Sequence, residues 1–172
     1  MRRSRPLARQ RSSPLNEPND SFRGVSEPAR LSDVFRRTMV VTEVDIDELG
    51  HASNIAYLRW VQEVAKGHSA AVGLGYPQYQ ALGSVFVVRR HEIDYLRSAL
   101  AGDTVELATW VESWSAATSV RQTRIVRGDA DLARAATTWA LINTASGRPR
   151  RIPELVKSAF ARGEGGDAGA AG

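Results

Sequence analysis

Between residues 39 and 143 the spacing of apolar positions changes period, and the changes mark out elements. "MVVTEV", Met39 to Val44, is short, apolar and β-branched, which predicts a buried strand. After Ser53, apolar residues fall at Ile55, Leu58, Val61, Ala65 and Val72, with Tyr57, Trp60 and Val64 beside that stripe. Spacing of three to four predicts a helix, and its first half has so little polar surface that it should be buried on most sides. "GLGYPQY" then breaks the pattern with glycines and a proline. Four strand-like runs follow, at 84–96, 104–114, 118–126 and 132–143, separated by short polar or glycine-containing turns. Alternation is plain where Val105, Leu107 and Val111 oppose Glu106 and Glu112, and again through Ala136, Thr138, Ala140 and Ile142. Short turns predict an antiparallel meander. The order is strand, buried helix, four strands: an α+β fold in which one antiparallel sheet of about five strands wraps one long helix.

The chain of 172 residues suffices for one domain with a sizeable core. The expected boundaries are a basic N-terminal extension at 1–33, a folded domain at 34–160 and a Gly/Ala-rich tail at 161–172. The net charge of +4 resides in the extension, where seven arginines in residues 1–30 face three acids and leave 16 basic and 16 acidic residues beyond. A neutral body argues against nucleic acid as the partner. There are no cysteines, so disulfides, thiol nucleophiles and thiolate metal sites are excluded. No apolar run approaches the roughly 20 residues of a membrane span, and the extension lacks the apolar centre of a secretory signal. A cytoplasmic location is expected.

The candidate chemistry lies in "EVDIDELGHASNIAYLRWVQEVAK", Glu43 to Lys66. Acids at Asp45 and Asp47 with Gly50 imitate the start of a calcium loop, but Leu49 and Ala56 fall where oxygen ligands are needed. A divalent site from Asp45, Asp47 and His51 lacks any further ligand cluster with recognisable spacing. The helix itself offers another use. Backbone N–H groups of its first turn are unpaired and partly positive, suited to an oxygen that becomes negative during reaction. An ionised Asp47 just upstream can attack a carbonyl or activate water. Together these suffice to hydrolyse an activated ester, and a thioester fits because thiolate leaves without strong acid assistance.

The run Asp45-x-Asp47-x-x-Gly50-His51-x-x-Asn54-x-x-Tyr57, with Glu63 further along, resembles the hotdog-fold acyl-CoA thioesterases of the 4-hydroxybenzoyl-CoA thioesterase and Tol-Pal-associated type. "RRHEIDYLRSALAGDTVEL" is similar to the strand pair that follows the helix there, so the resemblance covers about 34–160. It implies Asp47 as the catalytic carboxylate, a carbonyl-polarising backbone amide at or near Asn54, and catalytic or orienting roles for His51 and Asn54. It further implies homodimers or homotetramers with active sites between subunits, acyl-CoA or an acyl carrier protein as partner, and no metal or other cofactor. The common His-Val-Asn-Asn stands here as His51-Ala52-Ser53-Asn54. Ser53 is expected to cap the helix, and Ala52 to alter the acyl pocket.

Gly50 and Tyr57 are further candidate substrate contacts, Tyr57 competing with a plain core role, as does Trp60. Tyr76 and Tyr79 hint at an aromatic-lined pocket. Arg89 and Arg90, with Arg124 and Arg127 behind them, are candidates for coenzyme A phosphates. Alternation along "VVRRHEIDYLR" places Arg89, His91, Ile93 and Tyr95 on one face and Arg90, Glu92 and Asp94 on the other. Two rivals keep the fold and change the function: a non-catalytic acyl-thioester-binding module and a dehydratase.

Overall fold

The computed structural model describes residues 33–161, so all but the last residue of the expected extension and all but the first residue of the Gly/Ala tail lie outside the described residues. The elements are β1 (Phe35–Val40), a single 3-10 turn (Glu43–Asp45), α1 (Asn54–Ala71), α2 (Tyr76–Ala81), β2 (Ser84–Tyr95), β3 (Thr104–Trp114), β4 (Thr118–Arg127), β5 (Ala130–Asn143) and α3 (Glu154–Ala161). One antiparallel sheet in the order β1-β3-β4-β5-β2 curls around α1. This is the hotdog arrangement, α+β as expected.

Three expectations need correcting. The strand read at 39–44 lies at Phe35–Val40 instead, on a sheet edge and mostly exposed. Beyond it the chain turns because the buried Asp45 carboxylate accepts the Thr42 N–H and hydroxyl, both at 3.0 Å. The four later strands are not a plain meander either. Only β3, β4 and β5 follow one another in space, whereas β2 crosses to the far edge beside β5. Three strand spacings are about 14 Å, well within reach of the connector between Tyr95 and Thr104. The third correction concerns α1. Its buried residues are Ala56, Tyr57, Trp60, Val61, Val64, Ala65 and His68, while Ile55 is 78% exposed, so one face of the helix is open in a single chain. Two helices also went unread: α2 lies inside the glycine-proline break, and α3 follows Pro153 and buries Val156 and Phe160.

The main core packs Tyr57, Trp60, Val61 and Val64 of α1 against Val105 and Leu107 of β3, Ile125 of β4 and Ala133 of β5. Gly67 permits a close approach on the next turn, since a Cβ there would meet the Phe35 ring at 3.2 Å. That ring stacks instead on His68, with centroids 5.5 Å apart. A second cluster gathers Leu74, Tyr79, Leu141, Ile152, Val156 and Phe160 around the C-terminal end of α1.

The β2–β3 connector is pinned by Tyr57. Its hydroxyl donates to the Arg97 carbonyl at 3.1 Å and accepts the Ala99 N–H at 3.0 Å. Burial of the ring also pushes the phenol pKa up, keeping it a donor. We expect Tyr57→Phe to lose about 1–3 kcal/mol in chemical denaturation, because the buried Ala99 N–H is left unpaired. An unchanged midpoint would show that the clasp carries no stability.

Candidate active site

Residues Ile46 to Ala52 form a miniature hairpin that delivers the chain into α1. Ile46 and Ala52 bridge antiparallel. Between them the Asp47 N–H donates to the His51 carbonyl and the Gly50 N–H to the Asp47 carbonyl, each at 3.0 Å. Gly50 has φ +80°, which a side chain would strain, so glycine is required by the turn. The Leu49 N–H donates to Asp47 Oδ1 at 2.9 Å, an Asx turn that fixes the carboxylate in one orientation. The far side is tied down by Ala52 N–H to the Ala99 carbonyl and Ser53 N–H to the Asp45 carbonyl, both 2.9 Å.

The two aspartates have different surroundings. Asp45 is 2% exposed and its oxygens are committed to Thr42 and Arg59, so it holds the loop to the helix. Arg59 in turn approaches Glu63 at 3.8 Å. The Asp47 side chain is 26% exposed and lies 3.8 Å from His51 Nδ1, too long for a hydrogen bond but close enough to attract a protonated imidazole. Asp47 Oδ2 has no partner among the described residues.

Ser53 is the N-cap, its Oγ accepting the Ala56 N–H at 3.2 Å, as the sequence led us to expect. The Ser53 carbonyl takes the Tyr57 N–H at 3.3 Å. The Asn54 and Ile55 N–H groups find no acceptor among the described residues, and they form the positive end of an 18-residue helix. Asp47, Gly50, His51 and Asn54 are thus neighbours in one exposed or half-exposed segment.

The other candidates lie elsewhere. Tyr57 is 3% exposed with its hydroxyl committed, and Trp60 is fully buried beside it. Ala52 is in the main core. Tyr95 places its hydroxyl 3.5 Å from the Asn54 carbonyl, but Arg90 and Arg89 stand five and six residues back along β2, about 17–20 Å away in the same chain. Alternation does not fix the face of Arg89. The register shifts between Val88 and Arg90, so Arg89 occupies a β-bulge. Arg90 pairs with Glu92, Arg124 with Asp131 and Arg127 with Asp103.

A cavity of about 590 Å³ lies beside the second half of α1, lined by Tyr76 and Tyr79 but by none of Asp47, His51, Asn54 or Tyr57. Two of its surroundings escaped the sequence reading: Arg121 on its wall and His68, to which Arg121 is bonded. On β4 the inward residues are Ser119, Arg121, Thr123 and Ile125, mostly polar, so apolar alternation does not reveal the face. His68 stands four residues beyond the buried Val64, and that helical spacing was the available signal.

The hotdog fold defines a class, and comparison with known proteins agrees. The model of the thioesterase-like superfamily matches residues 41–160, and the chain belongs to that family. It is 29% identical over 133 residues to a chloroplastic palmitoyl-acyl carrier protein thioesterase of Arabidopsis thaliana, covering 72% of this chain and 32% of that one. The chain therefore spans about a third of that relative's length. Among solved structures, a 1,4-dihydroxy-2-naphthoyl-CoA thioesterase from Synechocystis superposes with TM-score 0.68 at 19% identity, over 74% of this chain and 96% of that one. A Staphylococcus aureus protein solved in complex with CoA gives 0.72 at 18% identity, over 79% and 87%. These two likenesses concern the fold.

Proposed function

We propose that this protein hydrolyses acyl-CoA thioesters to a free acid and CoA, in the manner of the 4-hydroxybenzoyl-CoA thioesterase type. The reading is carried by one observation: Asp47, held by its Asx turn with one carboxylate oxygen unpartnered among the described residues, lies in the hairpin that leads into the open amide end of α1. Membership of a thioesterase-like superfamily supports it.

In the proposed reaction the thioester carbonyl oxygen lies against the Asn54 and Ile55 N–H groups, which stabilise the negative charge of the tetrahedral intermediate. As nucleophile, Asp47 forms an acyl anhydride, thiolate leaves and takes a solvent proton, and water cleaves the anhydride. As general base, Asp47 takes a proton from a water that attacks directly, and thiolate leaves as before. Both routes consume one water and yield acid plus thiol. His51 orients Asp47, and Gly50 leaves room for substrate.

The working unit is a cytoplasmic homodimer or a tetramer built from it. Leu49, Ile55 and Tyr95 are 73%, 78% and 45% exposed around the candidate site, and β2 is an edge strand with one face of its ladder unpaired. A second copy covering them would complete the site and bring its own Arg89 and Arg90 within reach of CoA phosphates. No helix among the described residues is long and apolar enough to cross a membrane.

The test is thiol release from short, medium, long and aryl acyl-CoAs, each beside the matching acyl-carrier-protein thioester, read with a thiol-reactive chromophore. The protein has no cysteine to add background. Turnover of CoA thioesters above the carrier-protein series is expected. Absence of turnover on every thioester would reject hydrolysis.

A further inference from the structure

Arg121 is a buried cation without an anion among the described residues. It is 5% exposed, and both of its hydrogen bonds come from Nη1, to His68 Nδ1 at 2.8 Å and to Thr109 Oγ1 at 3.5 Å. Its guanidinium carbon sits 5.3 Å from the centre of the Phe160 ring. Burial and the adjacent guanidinium push His68 down to about 3, so at neutral pH the imidazole accepts a hydrogen bond and brings no charge. Burial lowers Arg121 too, but only to about 10, and it stays cationic. No carboxylate pairs with it among the described residues, whereas Arg59, Arg124, Arg127 and Arg134 each have one. A buried charge left uncompensated is costly, and folds seldom retain one without a counter-charge.

The missing counter-charge has a place to come from. Arg121 lines the cavity of about 590 Å³, a volume typical of small-ligand sites. The remaining walls are mainly apolar, with Leu74, Phe86, Trp114, Trp139 and Phe160. Near Arg121 lies the Tyr79 hydroxyl, which burial pushes up to about 12 and so keeps as a donor. Ser69 and Ser119 add hydroxyls to the lining. The stretch of α1 that contributes, Ala65 to Ala70, begins eleven residues past Asn54, so within one chain the cavity is about 17–24 Å along the helix from the candidate active site.

We propose that this cavity binds an apolar molecule ending in a carboxylate, with the carboxylate on Arg121 and the Tyr79 hydroxyl and the hydrocarbon against the tryptophans and Phe86. That chemistry has two sources: a free hydrophobic acid, or the far end of an acyl thioester whose chain terminates in a second carboxylate. The inference needs no turnover and stands apart from the role of Asp47.

Trp114 and Trp139 line the cavity, so intrinsic fluorescence reports occupancy. The probes are decanoate and its neutral partner decanamide, titrated into wild type, Arg121→Met and Arg121→Lys. Wild type is expected to bind decanoate at least about tenfold more tightly than decanamide, the least that a charge-assisted pair supplies. Arg121→Met should bind the two alike, and Arg121→Lys should keep part of the preference. Arg121→Met is also expected to melt no lower than wild type, because it removes a buried charge rather than a pair. A preference that survives in Arg121→Met, or no saturable binding of decanoate to wild type, overturns the proposal. The source follows from thiol release: a kcat/KM advantage for a carboxylate-ended acyl-CoA over its methyl-ended analogue, lost in Arg121→Met, locates the carboxylate on the acyl chain. Decanoate binding without that advantage assigns the cavity to free acids.

Discussion

Asp47→Asn is expected to lower thioester turnover by at least about a hundredfold, the usual effect of losing a general base, with the fold intact. The substitution isolates the charge. Asparagine retains an Oδ1 that can accept the Leu49 N–H, so the Asx turn that orients the side chain survives. Gly50 and the Ile46–Ala52 bridge are untouched. What disappears is the anionic oxygen, and both proposed routes require it. Should the variant turn over like wild type, Asp47 is a turn former and the non-catalytic acyl-binding reading takes first place. Enoyl product without free thiol would instead identify a dehydratase. If turnover collapses, single-turnover hydrolysis by wild type in oxygen-18 water, together with trapping of an acyl-enzyme, separates the two roles. Label entering the Asp47 carboxylate requires an anhydride cleaved at the Asp47 carbonyl. Label confined to the released acid fits direct attack by water or an anhydride cleaved at its acyl carbonyl, and a trapped acyl-enzyme selects the second. Asp45→Asn is a useful contrast, since Asp45 is buried against Thr42 and Arg59 and its loss should act through stability.

Local grammar was the legible part. Period-two alternation and a serine ahead of an apolar helix are written in neighbouring residues, and the strands and the α1 cap follow from them, whereas the 46–52 hairpin was not read. Strand order was not legible in the same way. Alternation tells which face a residue takes but not which strand lies beside it, and the connector after Tyr95 was long enough for either arrangement. The bulge at Arg89 likewise adds a residue that alternation cannot count. The displaced β1 has another cause: Val41, Thr42 and Val44 are β-branched, yet the Asp45 side chain draws Thr42 into a turn, so a local side-chain contact overrides propensity. Arg121 escaped because charged residues in a strand normally face water, and here the face turns toward a cavity.

Acid is expected to destabilise the protein in a window that begins well above the carboxylate range. His68 is 5% exposed between the Phe35 and Phe160 rings, with the Arg121 guanidinium on its Nδ1. Its folded pKa is lowered to about 3, burial being the larger cause and Arg121 the smaller. The unfolded chain takes up this proton near 6.5, so below that pH the unfolded state holds more protons. Stability from a neutral His68 is therefore full above about pH 6.5 and lost progressively toward pH 3, at a slope of up to about 1.4 kcal/mol per pH unit. Between pH 6.5 and 5 this amounts to about 2 kcal/mol. Asp103 and Asp131 have folded pKa values below 3.8, so their losses fall below that pH and do not obscure the window. His91 is also lowered by burial and contributes with the same sign, which makes His91→Gln the necessary control. The wild-type urea midpoint should be lower at pH 5 than at pH 7, whereas His68→Gln, which keeps an acceptor for Arg121 but cannot titrate, should lose most of that difference. If His68→Gln retains the wild-type slope while His91→Gln abolishes it, the buried imidazole beside Arg121 is not the acid-sensitive group, and a second cation is tolerated there. That result would mean the cavity wall can hold an extra positive charge without a ligand, which weakens the case that Arg121 awaits a carboxylate.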